Sequence, residues 1–293
     1  MEARLAGRRD PLPPRLNVRV AKPKILAPGP CPPGSARQAA FRNAIPPMTT
    51  PRFYCPGPLQ AGTEIVLPDE VAHHALRVLR LRDGAGIVLF DGEGGETPAT
   101  VHADGKRGLA RLGRHDPREA ELPGPITLAQ GLPAGDKMEW VIEKAVEMGV
   151  TRIAPIAARR SVLQLDGPRL EKRLARWQAL ARSASEQCGR NRVARVDAPV
   201  TLPQWLAAHA GTTAFLCHPD AQQDLAQALP PPDAARQGFA FLVGPEGGWD
   251  DEELQAAARA GTQAIRFGPR VLRTETAGIA LVAAATALLG WQG

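Results

Sequence analysis

From residue 126 to residue 291, short apolar segments alternate with longer amphipathic ones, and this alternation limits the possible folds more than any other feature. Short apolar runs predict buried strands, whereas apolar residues spaced three and four apart predict helices. Strands that alternate with helices form a mostly parallel sheet covered by helices, which is an α/β fold. We predict strands at 126–130, 152–156, 193–196, 213–217, 239–243 and 264–267, and helices at 137–148, 168–188, 202–210, 250–260 and 275–291.

Residues 49–117 show a different pattern, in which short strands are separated by glycine-rich turns. This pattern is typical of a small β-barrel. Residues 118–125 contain two prolines and predict a linker to the α/β domain of residues 126–293. In the barrel we predict strands at 52–54, 64–67, 86–90 and 97–102, and one short helix at 70–79.

The first 48 residues form a tail that is rich in proline and arginine. They contain ten of the 29 prolines and lack a sustained apolar periodicity, which predicts disorder. Nine basic residues against two acidic ones give the tail a charge of +7, whereas the remaining 27 basic and 28 acidic residues nearly cancel. We expect the tail to be dispensable, and translation from Met48 would omit it.

Several protein classes lose support from what the sequence lacks. It has no GxGxxG, GxxxxGK[ST], GxSxG or HExxH motif, which disfavours dinucleotide enzymes, P-loop NTPases, serine hydrolases and zincins. No stretch reaches the roughly 18 apolar residues of a membrane helix. The four cysteines form no CxxC pair, and adjacent His73 and His74 have no evident third ligand. We therefore expect a cytoplasmic protein without a metal site.

Two loops have the features of a ligand site. Residues 239–253 run from an apolar strand into a Gly-Pro-Glu-Gly-Gly turn and then a helix with an acidic first turn. Residues 266–278 also follow a strand, open a helix and carry many polar groups. Ligands bind at the carboxyl ends of strands in open α/β sheets, so two such loops favour a site over ordinary turns. The acidic helix start would repel a phosphate but tolerate a cationic ligand.

Two basic segments suit RNA phosphates. Residues 159–195 contain ten Lys and Arg residues against three acidic ones, which indicates a basic surface; a solvated helix face is the alternative. In the predicted barrel, Arg77 and Arg80 are one helical turn apart and Arg82 follows them, which suits contacts along a nucleic-acid backbone.

Taken in order, these segments resemble the small-subunit ribosomal RNA methyltransferase E family, the uridine-N3 methyltransferases of the SPOUT superfamily. The resemblance covers about residues 51–291. The proline-rich tail is outside it. The matching segments are 51–54, 72–80, 128–132, 135–138, 144–149, 160–162, 186–192, 242–248 and 268–277.

The resemblance implies a PUA-like β-barrel followed by a SPOUT domain with a trefoil knot. It implies methylation of N3 of a specific uridine in 16S rRNA of the small ribosomal subunit, with S-adenosylmethionine as methyl donor. It also implies a homodimer through the C-terminal knot domain, in which the apolar helix of residues 279–289 would contribute to the interface.

The same resemblance assigns candidate site residues. Arg160 and Arg273 would stabilise negative charge on the uracil, and Glu275 would act as a base or organise its loop. The cofactor would contact Leu216, Val243, Gly244, Glu246, Gly247, Gly248, Phe267, Gly268, Val271, Leu272, Arg273 and Thr276. RNA would contact Arg77, Arg80, Arg82, Arg190, Asn191 and Arg192.

Two alternative functions stay open at this point. One is a SPOUT methyltransferase that acts on a ribose oxygen or on another RNA. The other is a non-catalytic RNA-binding assembly factor that has kept the fold.

Overall fold

The structure is a computed structural model that describes residues 50–105, 107–163 and 167–292. The predicted tail of residues 1–48 lies outside these ranges. The described chain forms first a five-stranded sheet and then a seven-stranded sheet. No helix within the described ranges is long and apolar enough to cross a membrane.

The first sheet corresponds to the predicted PUA-like unit, and its members are β1 (Arg52–Tyr54), β2 (Glu64–Val66), β3 (Ala85–Phe90), β4 (Thr97–Asp104) and β5 (Arg107–Leu112). The strand order is β1-β3-β4-β5-β2, and β1 pairs with β3 in parallel while the other pairs are antiparallel. Its inner face buries a separate apolar cluster that includes Phe53, Leu89 and Val101. This sheet therefore has its own core.

The predicted helix at 70–79 is interrupted. Helix α1 (Asp69–His73) passes directly into one turn of π-helix at His74–Val78. Arg80 follows with a φ of 52°, the one positive φ at a non-glycine position among the described residues. Such a conformation is strained for a residue with a Cβ, and the chain turns sharply there. The turn leaves Arg80 exposed on the surface.

The second sheet confirms the predicted parallel arrangement. Its members are β6 (Ile126–Gly131), β7 (Arg152–Ile156), β8 (Arg195–Val196), β9 (Ala214–Cys217), β10 (Gln223–Asp224), β11 (Phe239–Val243) and β12 (Gln263–Arg266). The order is β10-β12-β9-β11-β6-β7-β8, and every neighbouring pair is parallel. All five residues of β11 are buried, as expected for a central strand covered on both faces.

Helices cover both faces of this sheet, and they are α2 (Lys137–Glu147), α3 (Gly167–Cys188), α4 (Leu202–Ala208), α5 (Leu225–Ala228), α6 (Pro232–Ala235), α7 (Asp251–Arg259) and α8 (Thr274–Leu288). Successive residues of β6 face opposite cores. Leu128 packs in a cluster with residues of α2, α3 and α8, whereas Ala129 packs in a cluster with residues of α4 and α7. This alternation follows from the two-residue period of a strand.

A buried polar joint connects β1 to the end of α3. The backbone N–H of Tyr54 donates to Glu186 Oε1 at 2.8 Å, and burial raises the pKa of Glu186. The guanidinium of Arg52 donates to Asn191 Oδ1 and pairs with Glu96. The segment 186–192 therefore fastens the first sheet to the α/β part of the chain.

Candidate active site

An open cleft of about 730 Å³ lies at the carboxyl ends of β9, β11 and β12. Residues 217–219, 243–249 and 266–274 line it, together with Arg160 from the loop after β7. This is the edge at which open α/β sheets bind ligands, and the volume is that of a typical small-molecule pocket. The cleft is therefore the strongest candidate for the active site.

The glycine-rich loop 244–248 is held tightly between its neighbours. A Cβ added to Gly247 would lie 2.9 Å from the Cβ of Arg160, and one added to Gly131 would lie 2.5 Å from the nitrogen of Pro245. Both distances are shorter than an ordinary contact of about 3.5 Å. The guanidinium of Arg160 also donates to the carbonyl of Gly247 at 3.3 Å. The position of the loop therefore depends on Arg160 and on the end of β6.

One acidic side chain, Glu246, lines the cleft. Lys137 Nζ lies 2.8 Å from Glu246 Oε1 and 3.5 Å from Glu275 Oε2. Burial opposes ionisation of Glu246, but hydrogen bonds from Lys137 and from the backbone N–H of Ala134 hold its pKa below the ordinary value. Glu246 is therefore ionised at neutral pH, and Lys137 joins it to the start of α8.

Four arginines, Arg160, Arg266, Arg270 and Arg273, surround the mouth of the cleft. Their side chains are exposed, and none pairs with a carboxylate of the described residues. Glu246, the single acid on the lining, is already paired with Lys137. The mouth is therefore strongly positive, which attracts an anionic partner such as nucleic acid.

The lining also has apolar side chains, among them Val243, Phe267 and Leu272. Burial raises the pKa of the Cys217 thiol to about 11, so this thiol is protonated at neutral pH and is a poor nucleophile. No group of His, Cys, Asp and Glu side chains in the described ranges could hold a metal ion. The cleft therefore offers both apolar surface and polar groups to a ligand.

Comparison with known proteins decides the family. The RNA methyltransferase domain matches residues 120–286, and the RNA methyltransferase PUA domain matches residues 67–112. Ribosomal RNA small subunit methyltransferase E of Mycobacterium bovis is 36% identical over 232 residues, which covers 77% of this chain and 87% of that protein. This chain belongs to the ribosomal RNA small subunit methyltransferase E family.

Solved structures agree with this family. Methyltransferase E from Neisseria gonorrhoeae, determined with bound S-adenosyl methionine, is 38% identical, with a TM-score of 0.75 over 82% of this chain and 98% of that one. A methyltransferase from Legionella pneumophila in complex with the cofactor SAM is 32% identical, with a TM-score of 0.75 over 82% and 98%. The resemblance stated from the sequence is confirmed.

Most residues that the methyltransferase E pattern nominated meet at the cleft. Arg160, nominated for catalysis, lies on its lining. Ten of the nominated cofactor contacts also line it: Val243, Gly244, Glu246, Gly247, Gly248, Phe267, Gly268, Val271, Leu272 and Arg273. Their roles stay predictions.

Three nominated residues are not on the lining. The side chain of Leu216 is 3% exposed and packs in the core under α4, and the chain reaches the cleft one residue later, at Cys217. Thr276 is exposed on the first turn of α8, away from the lining. Glu275 contacts Lys137 instead of the cleft. Sequence reasoning missed Arg266 and Arg270, which lie in the nominated loop but were not singled out.

The prediction that Arg190 and Asn191 bind RNA is wrong. The Arg190 side chain is 3% exposed, pairs with Glu121 at 2.9 Å and donates to the carbonyls of Val146 and Val150 at 2.9 and 2.8 Å. Asn191 is fully buried in the joint with the first sheet. Neither side chain can reach a nucleic acid, because both are used within the protein.

The remaining RNA candidates lie on the surface. Arg192 is 54% exposed and lies 3.3 Å from Glu119. Arg77, Arg80 and Arg82 are exposed in the segment that connects β2 to β3. Much of the positive charge predicted for 159–195 is neutralised, since six of its ten basic residues pair with carboxylates. Of the other four, Arg160 lies at the cleft mouth with Arg266, Arg270 and Arg273.

Proposed function

We propose that this protein transfers a methyl group from S-adenosylmethionine to N3 of a uridine in 16S rRNA of the small ribosomal subunit. The observation that carries the proposal is the cleft at the carboxyl ends of β9, β11 and β12, which is lined by apolar side chains and by four arginines. The methyltransferase E relatives named above supply the reaction class. An enzyme that acts on bacterial rRNA would work in the cytoplasm.

The lining fits the cofactor. Val243, Phe267 and Leu272 offer apolar surface for the adenine, and the close-packed loop 244–248 lets main-chain groups approach a ligand. Glu246 is ionised, so an acidic group is present near a cofactor that carries positive charge. When bound, S-adenosylmethionine supplies an electrophilic methyl group on its sulfonium.

The arginines at the mouth would stabilise negative charge on the uracil. N3 must lose its proton before or during attack on the methyl carbon, and the resulting charge spreads onto O2 and O4 of the ring. Nearby positive charges favour the deprotonated form and stabilise the transition state. Arg160 and Arg273 are our candidates for this role, since both line the cleft without a carboxylate partner. Glu275, paired with Lys137, organises the loop that carries Arg273.

The first sheet would hold RNA at a distance from the chemistry, through exposed Arg77, Arg80 and Arg82. Because N3 lies on the Watson–Crick edge, the target uridine must be unpaired or flipped out. We also propose that loops 243–249 and 266–274 belong to a trefoil knot, as in the SPOUT superfamily.

The proposed homodimer would use α8 and its neighbour α2. Ile279, Ala280, Ala283 and Ala284 on α8 are partly exposed, and Leu288 at its end is 55% exposed. A stripe of small apolar residues on a helix suits packing against a second helix. Multi-angle light scattering should give twice the chain mass, and a monomer at micromolar concentration would contradict this part of the proposal.

Calorimetry together with methyl transfer tests the main proposal. The purified protein should bind S-adenosylmethionine, and small subunits from a strain that lacks the family enzyme should accept labelled methyl groups. Large subunits serve as the matched control and should stay unlabelled. Failure to bind the cofactor would favour a non-catalytic assembly factor, whereas binding without transfer to small subunits would favour a methyltransferase that acts on another RNA.

A further inference from the structure

Three polar groups connect the core of the seven-stranded sheet to the cleft. Gln130, the next-to-last residue of β6, is fully buried, and its Nε2 donates to Thr274 Oγ1 at 2.8 Å. Thr274 Oγ1 donates in turn to the carbonyl oxygen of Gly244 at 2.5 Å. Thr274 begins α8, Gly244 follows β11, and both line the cleft.

The two hydrogen bonds from Gln130 to Thr274 and from Thr274 to Gly244 form a relay, and its direction depends on Gln130. The hydroxyl of Thr274 has a single proton, and an amide N–H on its acceptor side leaves that proton free for the carbonyl of Gly244. The amide of Gln130 is itself oriented, because Nε2 also donates to the carbonyl of Gly131 at 3.1 Å. Gln130 therefore determines where the Thr274 proton points.

The surroundings of Gln130 indicate a role beyond packing. Its Oε1 is buried without a hydrogen-bond partner, which costs free energy that an apolar side chain would avoid. Helix α8 passes close over it, since a Cβ added to Gly278 would lie 3.4 Å from Gln130 Oε1. The amide is thus packed between β6 and α8, and Thr274 connects it to the glycine-rich loop 244–248.

We propose that Gln130 is a positioning residue for the cofactor. Through Thr274 it fixes the carbonyl of Gly244, and with it the loop 244–248, in the conformation that binds S-adenosylmethionine. Gln130 acts through Thr274 and does not line the cleft. The inference rests on the proposed function, because it assumes that the cleft takes this cofactor.

The substitution Gln130→Glu tests the direction of the relay. A protonated carboxyl group can donate to Thr274 as the amide does, whereas an ionised carboxylate must accept and would take the proton away from Gly244. Because burial raises the pKa of a carboxyl group, the titration must extend to alkaline pH, and calorimetry with S-adenosylmethionine should show the variant losing affinity about tenfold more than wild type between about pH 5 and pH 9. A purely structural role for Gln130 would not produce this pH profile.

Substitutions of Thr274 test the second link. Thr274→Val removes the donor to Gly244 and should weaken cofactor binding about tenfold at every pH, whereas Thr274→Ser should restore it. Thr286→Val is the matched control, because Thr286 is buried in the same helix and its hydroxyl donates only to the carbonyl of Ala283. That variant should bind the cofactor as wild type does. Circular dichroism melts check that each variant is folded.

The outcomes separate this inference from the proposed function. If wild type and Thr274→Val bind the cofactor equally well, or if Gln130→Glu follows the wild-type pH profile, the relay does not position the loop. If Gln130→Glu does not fold, the cofactor affinities of Thr274→Val and Thr274→Ser decide whether the relay positions the loop. If wild type itself does not bind S-adenosylmethionine, the proposed function fails, and the relay loses its ligand.

Discussion

Replacing Gly247 with alanine should weaken cofactor binding through contact with Arg160. The backbone of Gly247 does not have a positive φ, so conformational strain plays no part. The added Cβ would instead lie 2.9 Å from the Cβ and 3.2 Å from the carbonyl oxygen of Arg160, and neither atom is the free end of a flexible side chain. Overpacking of this kind costs about 1–3 kcal/mol. If the loop shifts to relieve it, the dissociation constant for S-adenosylmethionine should rise about 5- to 150-fold.

Isothermal titration calorimetry measures this effect, with the melting temperature as a check on folding. Gly86→Ala is the matched control, because an added Cβ there meets nothing within 4 Å and should change neither quantity. The bulkier Gly247→Val should abolish cofactor binding in a folded protein. The double variant with Arg160→Gly should regain part of the affinity lost in Gly247→Ala, since the nearest contact is removed. Unchanged affinity in Gly247→Ala would refute the proposed coupling between the loop and Arg160.

Three further predictions follow from the same contacts. Arg160→Ala should lower kcat at least tenfold in single-turnover methylation, while calorimetry should show a smaller loss of cofactor affinity. Equal losses of kcat and of cofactor affinity would remove Arg160 from the catalytic residues. Changing Arg77, Arg80 and Arg82 together to Ala should weaken RNA binding and make RNA affinity depend less steeply on salt concentration, with cofactor affinity unchanged. A wild-type salt dependence in filter binding would contradict this. Arg190→Ala should destabilise the fold by about 3–5 kcal/mol in urea unfolding, because the partly buried Glu121 would lose its partner and the carbonyls of Val146 and Val150 would lose their donor. A loss below about 1 kcal/mol would count against this structural role.

The sequence was most informative about buried regular structure. The strand at 239–243 and the helix at 168–188 were predicted almost to the residue, since an apolar run and a helical spacing each have one simple interpretation. Short elements were missed. Strand β5 contains a glycine and two arginines, so its alternation is weak, and β10 is two residues long at the sheet edge.

The functional residues also differ in how well the sequence predicts them. A glycine-rich loop after a buried strand specifies its own place at the sheet edge, so Gly244 and Gly247 were found. Charge alone does not reveal burial. Arg190 and Arg192 look alike in sequence, yet Arg190 is buried and pairs with Glu121, whereas Arg192 lies on the surface. Only the fold distinguishes the two.

The identity of the methylated nucleoside tests the proposed function most directly. Small subunits from a strain that lacks the family enzyme can be incubated with the purified protein and S-adenosylmethionine carrying a deuterated methyl group, then digested to nucleosides for mass spectrometry. We expect labelled 3-methyluridine from 16S rRNA, and at most about a tenth as much from a matched reaction with Arg160→Ala that is stopped after one turnover time of wild type. Label on a ribose oxygen or on another base, or no labelled nucleoside from a protein that binds the cofactor, would contradict the proposed function.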